Sequence, residues 1–340
     1  MFWLNKTLRL GHLLVDFRLR RQNVRGKPFR LWIETASCCN LRCVMCPNKE
    51  MAADKKGLMP LSLFKKIIDQ CRWFANDVYL HHRGEPLLNP ALFDMISYAR
   101  EAGLRTRFHT NGALLDETRA KKLLEASPNL VSFSFDCFSK EAYEKVRGGA
   151  VFEKTLENIL RLAQMRKAAG VTKPYLVVEK IRFKNLPLAI NQRQADDTTR
   201  RLLTAGVDEI IEKEEYIWAE ESAPATVAAR PGSVCTFPWY AMVICADGAV
   251  TPCPQDFNAC MKMGNAAETA LLAIWNGKAY RDLRKKMAGD LQALPLCRKC
   301  DRLGRRTFGG LPIQYMLTFL IDHLLGYGKL RKMLGTQERN

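Results

Sequence analysis

The stretch ETASCCNLRCVMCPN, residues 34–48, holds four of the twelve cysteines of the chain. Three of them, Cys39, Cys43 and Cys46, have the spacing C-x3-C-x2-C, whereas Cys38 precedes the motif and is expected to be a packed thiol. A structural zinc site normally takes four ligands in two pairs. Three thiolates on one loop therefore suit a cubane [4Fe-4S] cluster better, with one iron left open to a small molecule.

The composition is that of a globular protein that keeps its thiols reduced. The chain has 340 residues, 47% of them hydrophobic and 26% charged, which is enough for a large domain and a smaller one. The cysteines form short-spaced clusters, and the N-terminus lacks the apolar run and cleavage site of a signal peptide. We therefore expect a cytoplasmic protein whose cysteines bind metal.

Apolar runs alternate with helical patterns between residue 31 and about residue 212. The predicted strands are LWIETA, DVYLHH, LRTRFHT, NLVSFSFD, PYLVVEKI and DEIIEK. The alternation predicts an α/β protein with a partial (β/α)6 TIM-like barrel. The chemistry of such barrels lies at the C-terminal ends of the strands, and the cysteine loop directly follows the first predicted strand.

The pattern divides the chain into four segments. Residues 1–30 form a basic amphipathic extension, residues 31–222 the β/α core, residues 223–305 a small α+β cluster-binding domain, and residues 306–340 an apolar and basic tail. ESAPATVAARPGS is typical of a linker, ADG predicts a hairpin, and TALLAIWNGKAYRDLRKKMAGD predicts a helical stretch.

The small domain supplies a second set of four cysteines, Cys235, Cys253, Cys297 and Cys300. Four thiolates from a hairpin and a later C-x2-C can hold either a second cubane or zinc, and the spacing leaves both open. Cys245 and Cys260 remain as packed thiols, as replacement ligands or, for one of them, as a substrate-side acid or base, and packing is favoured.

CNLRCVMC resembles the cluster motif of the radical S-adenosylmethionine (radical SAM) superfamily. The resemblance implies that the open iron binds the methionine end of S-adenosylmethionine. Reductive cleavage then gives a 5′-deoxyadenosyl radical that abstracts hydrogen from a substrate. HRGEPLLNP, HTNGALL and SFDCFSKEAYEKVRGG resemble further stretches of the family in the same order, although Cys137 stands where the family usually has glycine.

The resemblance also implies a set of residues that contact S-adenosylmethionine. Gly84 and Glu85, followed by Pro86, would hold its amino group. The remaining expected contacts are Met45 near the adenine, Asn111 and Glu179 beside the site, Ser134 and Asp136 near the ribose, and Arg147 near the carboxylate.

Two adjacent histidines, His81 and His82, end the second predicted strand. Because strand side chains alternate between faces, one of the two must point inward. An inward histidine can move a substrate proton, which makes His82 a candidate catalytic acid or base. The alternative is a hydrogen-bonded histidine in the barrel wall, and His109 has the same two interpretations, with the structural one favoured.

The second cysteine set resembles the SPASM domain and its shortened form, twitch. No cysteine follows Cys300, so the resemblance implies one auxiliary [4Fe-4S] cluster. Such a cluster can accept an electron from a substrate radical. The expected function is dehydrogenation of a sugar, cyclitol or lipid-linked alcohol, with a flavodoxin- or ferredoxin-type reductant.

Two alternatives remain. One is a maturase of a ribosomally made peptide, against which the short N-terminal extension counts. The other is a non-catalytic metal-binding or electron-transfer protein, which has no need of a Gly-Glu-Pro loop.

The chain is strongly basic, with a net charge of +18. Its first thirty residues contain eight Lys or Arg and one Asp between apolar positions, which predicts either a helix on an anionic membrane or a packed helix with a solvated basic face. The apolar run of the tail is too short to span a bilayer. No nucleic-acid motif accompanies the charge, so we expect no nucleic-acid partner.

Overall fold

A computed structural model of the protein describes residues 2–183, 186–215, 218, 234–298, 300–304, 307–308 and 311–312. The predicted linker at 221–233 and most of the predicted tail at 306–340 lie outside the described residues. The chain divides into two compact units. The first comprises Met1–Ile33, Ser62–Val78 and Ile217–Gly326, and the second Glu34–Leu61, Tyr79–Tyr216 and Tyr327–Asn340.

The described strands are β1 Arg30–Ile33, β2 Arg42–Cys43, β3 Asp77–Tyr79, β4 Arg105–Thr110, β5 Leu130–Asp136, β6 Arg147–Gly148, β7 Tyr175–Arg182, β8 Glu209–Glu214, β9 Ala241–Ile244, β10 Ala249–Thr251, β11 Gly264–Asn265, β12 Thr307–Phe308 and β13 Leu311–Pro312. The described α-helices are α1 Phe2–Arg18, α2 Leu61–Cys71, α3 Leu92–Glu101, α4 Glu117–Ala126, α5 Lys140–Val146, α6 Phe152–Ala168, α7 Gln192–Ala205, α8 Phe237–Tyr240, α9 Leu271–Trp275, α10 Lys278–Gly289 and α11 Pro295–Arg298.

The second unit contains the parallel sheet that the sequence predicts. Its strands lie in the order β4-β5-β7-β8, and every neighbouring pair in this series is parallel. Helices α4, α6 and α7 connect them, as crossovers between parallel strands require. Phe108, Phe133 and Val178 are fully buried on one face, whereas the alternate positions on the other face are largely polar. The predicted α/β class is therefore confirmed.

Local capping fixes where these connecting helices begin and end. The Asp116 carboxylate accepts a hydrogen bond from the Arg119 amide at the start of α4, and the Asn191 side chain does the same for Gln194 at the start of α7. Gly206 ends α7 with a φ of 109°, a left-handed conformation that glycine adopts without strain. These caps return the chain to the sheet for the next strand.

The first unit contains a second strand series in which β1 pairs in parallel with β9. β10 pairs antiparallel with both β9 and β11, which confirms the hairpin predicted at ADG. α1 lies in the same unit, where the rings of Phe17 and Trp239 meet edge to face at 5.6 Å. In the part of the chain that the structure describes, no helix has the length and apolarity needed to cross a membrane.

Three elements differ from the sequence-based expectation. The helical stretch predicted at 269–290 is broken at Asn276 and Gly277 into α9 and α10. At this break the Asn276 side chain accepts a hydrogen bond from the Val24 amide and donates one to the Val24 carbonyl. β1 and β3 end at Ile33 and Tyr79, earlier than predicted.

Candidate iron–sulfur and cofactor sites

The loop that carries Cys39, Cys43 and Cys46 lies in the second unit and is tied to the segment after α5. Strand β2 pairs with β6, which places Cys43 opposite Arg147. The Val44 amide donates to the Val146 carbonyl at 2.9 Å, and the Cys46 amide donates to the Cys43 carbonyl at 3.2 Å. Backbone pairing therefore holds the predicted cluster loop beside a buried arginine.

The three thiols have the electrostatics of a metal site. Burial is the main cause that raises the pKa of each, that of Cys39 to about 11, and the Arg147 guanidinium opposes the rise at Cys43 and Cys46. Metal binding here would release protons from soft donors next to a compensating cation, which fits an iron–sulfur cluster. Within the described ranges, no three His, Cys, Asp or Glu residues form a site for a single metal ion.

The Gly84 backbone is packed so closely against the cluster loop that no side chain fits. A Cβ atom at this position would lie 2.3 Å from the Cys38 carbonyl oxygen and 2.4 Å from that of Ala36. The next amide, of Glu85, donates to the same Cys38 carbonyl at 2.9 Å. The predicted Gly-Glu-Pro motif is thus joined directly to the residue that precedes the three cysteines.

The Glu85 carboxylate connects two of the predicted cofactor loops. Oε1 accepts hydrogen bonds from the Leu87 amide at 3.0 Å and the Thr110 hydroxyl at 2.7 Å, and Oε2 accepts from the Asn111 amide at 2.7 Å. Burial raises the pKa of Glu85, and these hydrogen bonds oppose the rise. Pro86 is buried and begins a short 3-10 turn after Glu85. Asn111 Nδ2 donates to Asn40 and lies 3.9 Å from the Cys39 sulfur.

Asp136 and Arg147 form a buried ion pair with one carboxylate oxygen left over. Arg147 Nε donates to Asp136 Oδ2 at 2.7 Å, whereas Oδ1 is buried with no hydrogen-bond partner among the described residues. A buried acceptor without a donor is costly, and a ribose hydroxyl would supply the donor. The positive φ in this turn, 47°, lies at Asp136, and the following Cys137 is buried. This arrangement fits the predicted contact with the cofactor.

Met45 and Ser134 are half-buried, in the cluster loop and near the end of β5. Ser134 lies opposite Glu179 in the pairing of β5 with β7. The structure therefore brings together Glu85 with Asn111, Asp136 with Arg147, and Ser134 with Glu179.

A second polar group occupies the same sheet face, formed by His81, His109, Ser132, Glu179 and Lys213. We call it the inner-face cluster. The rings of His81 and His109 stack with centroids 4.3 Å apart, and His81 Nδ1 accepts a hydrogen bond from the His109 amide at 3.2 Å. Glu179 Oε1 accepts from Ser132 Oγ and Lys213 Nζ, both at 2.7 Å, and lies 3.7 Å from His109 Nδ1.

The charges of the inner-face cluster are fixed by its own members. Burial opposes ionisation of Glu179, but the Lys213 ammonium, His109 in its protonated form, and the hydrogen bonds from Lys213 and Ser132 outweigh it and hold the pKa of the carboxyl at about 2. Burial lowers the pKa of His109 below its ordinary value, with Glu179 opposing the shift. At neutral pH the cluster therefore contains a neutral imidazole beside a carboxylate. The His109 side chain is 31% exposed, which leaves it accessible from the inner face.

His82 lies on the other face from its neighbour. Its side chain is 1% exposed and its Nδ1 is 3.8 Å from Glu34 Oε1. Arg83 holds the same carboxylate through Nε and a terminal nitrogen, both at 2.7 Å. This buried position does not support a substrate-side role for His82, and it is His81 that joins the inner-face cluster through its contacts with His109.

The sequence interpretation missed Lys213, Ser132 and the inward orientation of His81, and it favoured a structural role for His109. The period-two alternation of β4, β5, β7 and β8 could have identified them, because His109 precedes Asn111 by two residues and Ser132 precedes Ser134 by two. Residues two apart on a strand share a face.

The second cysteine set lies in the first unit, where four thiols influence one another. Cys297 is affected by the charges of Cys235, Cys253 and Cys300, and burial, the largest cause, raises its pKa well above the ordinary value. The Cys300 amide donates to the Cys297 carbonyl at 3.0 Å. Arg302 opposes the rise of the thiol pKa at Cys235 and Cys253. Four soft donors near a cation fit a fully ligated cluster.

Asp256 shapes the loop after Cys253. Its buried carboxylate accepts hydrogen bonds at 2.8 Å from the Thr251 hydroxyl and from the amides of Cys260 and Met261. Cys245 is buried, as predicted for a packed thiol, whereas Cys260 is exposed and the packing predicted for it is wrong. Cys38 is half-buried, with its sulfur 4.0 Å from the Gly57 carbonyl oxygen.

A parallel β/α sheet and a loop with three cysteines in the second unit, together with four cysteines in the first, define an iron–sulfur protein with a cofactor site at the strand ends. The radical SAM superfamily model matches residues 33–178, and the model of the SPASM iron–sulfur cluster-binding domain matches residues 235–301. The chain therefore contains a radical SAM domain followed by a C-terminal SPASM domain. These two domains account for the cofactors, which are S-adenosylmethionine, a [4Fe-4S] cluster that binds it, and an auxiliary cluster.

The curated relatives that match this chain have names that describe different reactions. A tungsten-containing aldehyde ferredoxin oxidoreductase cofactor-modifying protein of Pyrococcus furiosus is 33% identical over 53% of this chain and 50% of its own length. The chain spans half or less of the length of the first curated relatives it matches. An S-adenosyl-L-methionine-dependent 2-deoxy-scyllo-inosamine dehydrogenase of Niallia circulans is 25% identical over 81% of this chain and 93% of its own.

One solved structure extends the comparison to the fold. Streptococcus suis SuiB bound to its precursor peptide SuiA has a TM-score of 0.62 at 14% identity, covering 85% of this chain and 74% of that one. At this identity the likeness concerns the fold alone.

The lowered pKa values of His81 and His109 predict a pH dependence of stability. Burial lowers the pKa of His81 and His109 in the folded protein. As the pH falls below about 6.5, the unfolded chain therefore binds more protons at these two rings than the folded protein does. The free energy of unfolding is therefore highest above this pH. Below it, the free energy of unfolding decreases by at most about 1.4 kcal/mol per pH unit for each ring. We expect the melting temperature of the reconstituted protein to fall between pH 7.5 and pH 5.5, as measured by anaerobic calorimetry.

The double substitution of both histidines by phenylalanine should flatten this fall. The matched control is His12→Gln, because His12 is exposed on α1. An unchanged slope in the double variant, or a flattened slope in the control, contradicts the assignment.

Proposed function

We propose that the protein is a radical SAM dehydrogenase that oxidises an alcohol carbon of a sugar, cyclitol or lipid-linked alcohol to a carbonyl. The observation that carries the proposal is the inner-face cluster, in which the neutral ring of His109 lies beside the ionised Glu179. Such a pair suits a hydroxylated substrate that must lose a proton. The likeness to a cyclitol dehydrogenase over 93% of that relative's length supports the same substrate class.

The residues of this chain divide the work as follows. Gly84, Glu85, Asn111 and Asp136 would hold S-adenosylmethionine beside Cys39, Cys43 and Cys46. When bound, the cofactor and its cluster supply removal of a hydrogen atom from the substrate carbon, and the auxiliary cluster supplies an acceptor for one electron.

His109 accepts the hydroxyl proton as the carbonyl forms, and the carboxylate of Glu179 stabilises the resulting imidazolium. Lys213 and Ser132 keep that carboxylate ionised and oriented. Proton, hydrogen atom and electron thus each have a destination, and the net change is a two-electron oxidation of the substrate.

The test is turnover of defined alcohols by the reconstituted enzyme under anaerobic conditions with a reductant and S-adenosylmethionine. 2-Deoxy-scyllo-inosamine, other cyclitols, sugars and a polyprenyl-linked sugar form the panel. The expected result is a new carbonyl product with one S-adenosylmethionine consumed for each product. Cleavage of S-adenosylmethionine with intact clusters and no carbonyl from any alcohol overturns the proposal.

His109→Gln is expected to separate the two halves of the reaction. Formation of 5′-deoxyadenosine with the reactive alcohol should persist, whereas carbonyl formation falls by about 10²- to 10⁴-fold because the proton acceptor is lost. The ratio of product to 5′-deoxyadenosine measures this separation. His12→Gln should leave the ratio unchanged, and an unchanged ratio in His109→Gln rules out the proposed role.

The double variant Cys297→Ala/Cys300→Ala tests the electron acceptor. Iron should fall from about eight to about four atoms per chain, with S-adenosylmethionine cleavage retained and carbonyl formation lost. Cys260→Ala is the matched control in the same domain, because that thiol is exposed. Zinc in place of the second set of irons in the unaltered protein would remove the electron acceptor from the mechanism.

A peptide substrate is the second candidate. The observation in its favour is that the fold of this chain is shared with SuiB, whose structure contains its precursor peptide. Modification of a peptide encoded beside this gene, with none of the panel alcohols oxidised, would establish it in place of the dehydrogenase.

A further inference from the structure

Helix α1 is apolar on both of its sides. On one side Leu13 and Phe17 are buried, the latter against Trp239. The other side should be polar if it faced only water. Instead, beside the exposed His12 and Arg18, α1 and the residue that follows it expose four large apolar side chains: Leu8 is 57%, Leu14 46%, Val15 44% and Leu19 61% exposed.

Leu8, Val15 and Leu19 form one stripe with Leu14 at its flank, and we call the four residues the α1 stripe. Leu8, Val15 and Leu19 are spaced by seven and then four residues, which places them on one helical face. The Leu19 amide donates to the Val15 carbonyl at 2.9 Å, so the helical turn continues through this residue. Leu14 is one residue from Val15, about 100° around the helix, and lies at the flank of the exposed side.

The segment that carries the α1 stripe is strongly basic. The first thirty residues contain eight Lys or Arg and a single acid, Asp16. Asp16 is 1% exposed, and its carboxylate is used by the Gly26 amide at 2.7 Å and by Arg21 at 3.1 Å. Arg18 and Arg25 are exposed. A partner for this surface must therefore be both apolar and anionic.

We propose that the α1 stripe docks the enzyme on the surface of an anionic lipid bilayer. A bilayer of this kind offers acyl chains for the exposed leucines and lipid phosphates or carboxylates for the arginines over a broad area. A second copy of the chain is the poorer occupant, because it would bring two basic segments of a protein with net charge +18 together. The helix lies on the membrane and does not cross it.

The attraction has two parts with different responses. The electrostatic part weakens with salt, because exposed charges are screened over about 10 Å at 0.1 M ionic strength. The apolar part depends on the stripe residues themselves. Since none of them belongs to the cofactor or inner-face sites, the docking surface is independent of the proposed reaction.

The experiment is cosedimentation of the full-length reconstituted enzyme with vesicles of phosphatidylcholine that contain about 30% phosphatidylserine. The compared variant is Leu14→Gln/Val15→Gln/Leu19→Gln. Its matched control is Val171→Gln/Leu203→Gln, which alters equally exposed apolar residues away from α1. We expect the unaltered protein and the control to bind at low salt, and the triple variant to lose at least about tenfold in affinity.

Retained melting temperature and S-adenosylmethionine cleavage will show that the triple variant is folded. Equal binding to pure phosphatidylcholine, equal binding of the triple variant, or no binding at all overturns the proposal. The stripe is assigned to a second copy instead if sedimentation equilibrium without lipid shows a dimer that the triple variant lacks. Vesicle binding of the triple variant would then equal that of the unaltered protein.

Discussion

The triple variant Cys39→Ala/Cys43→Ala/Cys46→Ala is expected to lose all cleavage of S-adenosylmethionine while it keeps its auxiliary cluster. The three thiols lie on one loop, and burial raises the pKa of each, so that at neutral pH they remain protonated when no metal is bound. Iron should fall from about eight to about four atoms per chain. Iron and sulfide analysis, with electron paramagnetic resonance in the presence and absence of S-adenosylmethionine, measures both effects.

Cys38→Ala is the matched control for this loop, because Cys38 directly precedes the motif and is only half-buried. It should keep its iron and its response to S-adenosylmethionine. A triple variant that still cleaves the cofactor contradicts the assignment of these three ligands, as does a Cys38 variant that loses about four irons.

Local patterns made the strands and the cysteine motifs predictable. The runs LRTRFHT, NLVSFSFD and PYLVVEKI became β4, β5 and β7, because each is bounded by turn or cap residues and is rich in β-branched or aromatic side chains. The hairpin at ADG was predictable because Asp-Gly between two strands is typical of a tight turn that needs a positive φ, and Gly248 has a φ of 88°. Such information lies within a few neighbouring residues.

The inner-face cluster could not be predicted in the same way. His81, His109, Ser132, Glu179 and Lys213 follow or belong to five different strands, and only the register between those strands brings them together. A shift of one residue in any pairing would turn the side chain to the other face. Alternation predicts that an inner face exists, but register decides which residues share it.

His82 shows how strand length changes an assignment. The run DVYLHH predicted a strand that continues through both histidines, whereas β3 ends at Tyr79. Beyond that point Arg83 forms a buried ion pair with Glu34, and the His82 ring lies beside the same carboxylate. The ion pair between two distant residues is a tertiary effect, so strand propensity carries no information about it.

Gly84→Ala is expected to disrupt the cofactor site more than a Gly→Ala substitution at any other described glycine near the site. The new Cβ would lie 2.3 Å from the Cys38 carbonyl oxygen and 2.7 Å from the Ser37 carbonyl carbon, both backbone atoms that cannot rotate away. Relief requires a shift of the cluster loop, of Glu85, or of both. Overpacking of this kind costs about 1–3 kcal/mol of stability.

Affinity for S-adenosylmethionine should fall by at least about tenfold, because Glu85 and Asn111 move with the loop to which Gly84 is packed. Equilibrium dialysis on the reconstituted protein measures the affinity, and calorimetry measures the melting temperature. Gly57→Ala is the matched control: no atom lies within 4 Å of its added methyl group, although Gly57 also contacts this loop through Ser37. Because the two variants differ only in the space around one methyl group, equal affinities would show that close backbone packing at Gly84 does not position the cofactor loop.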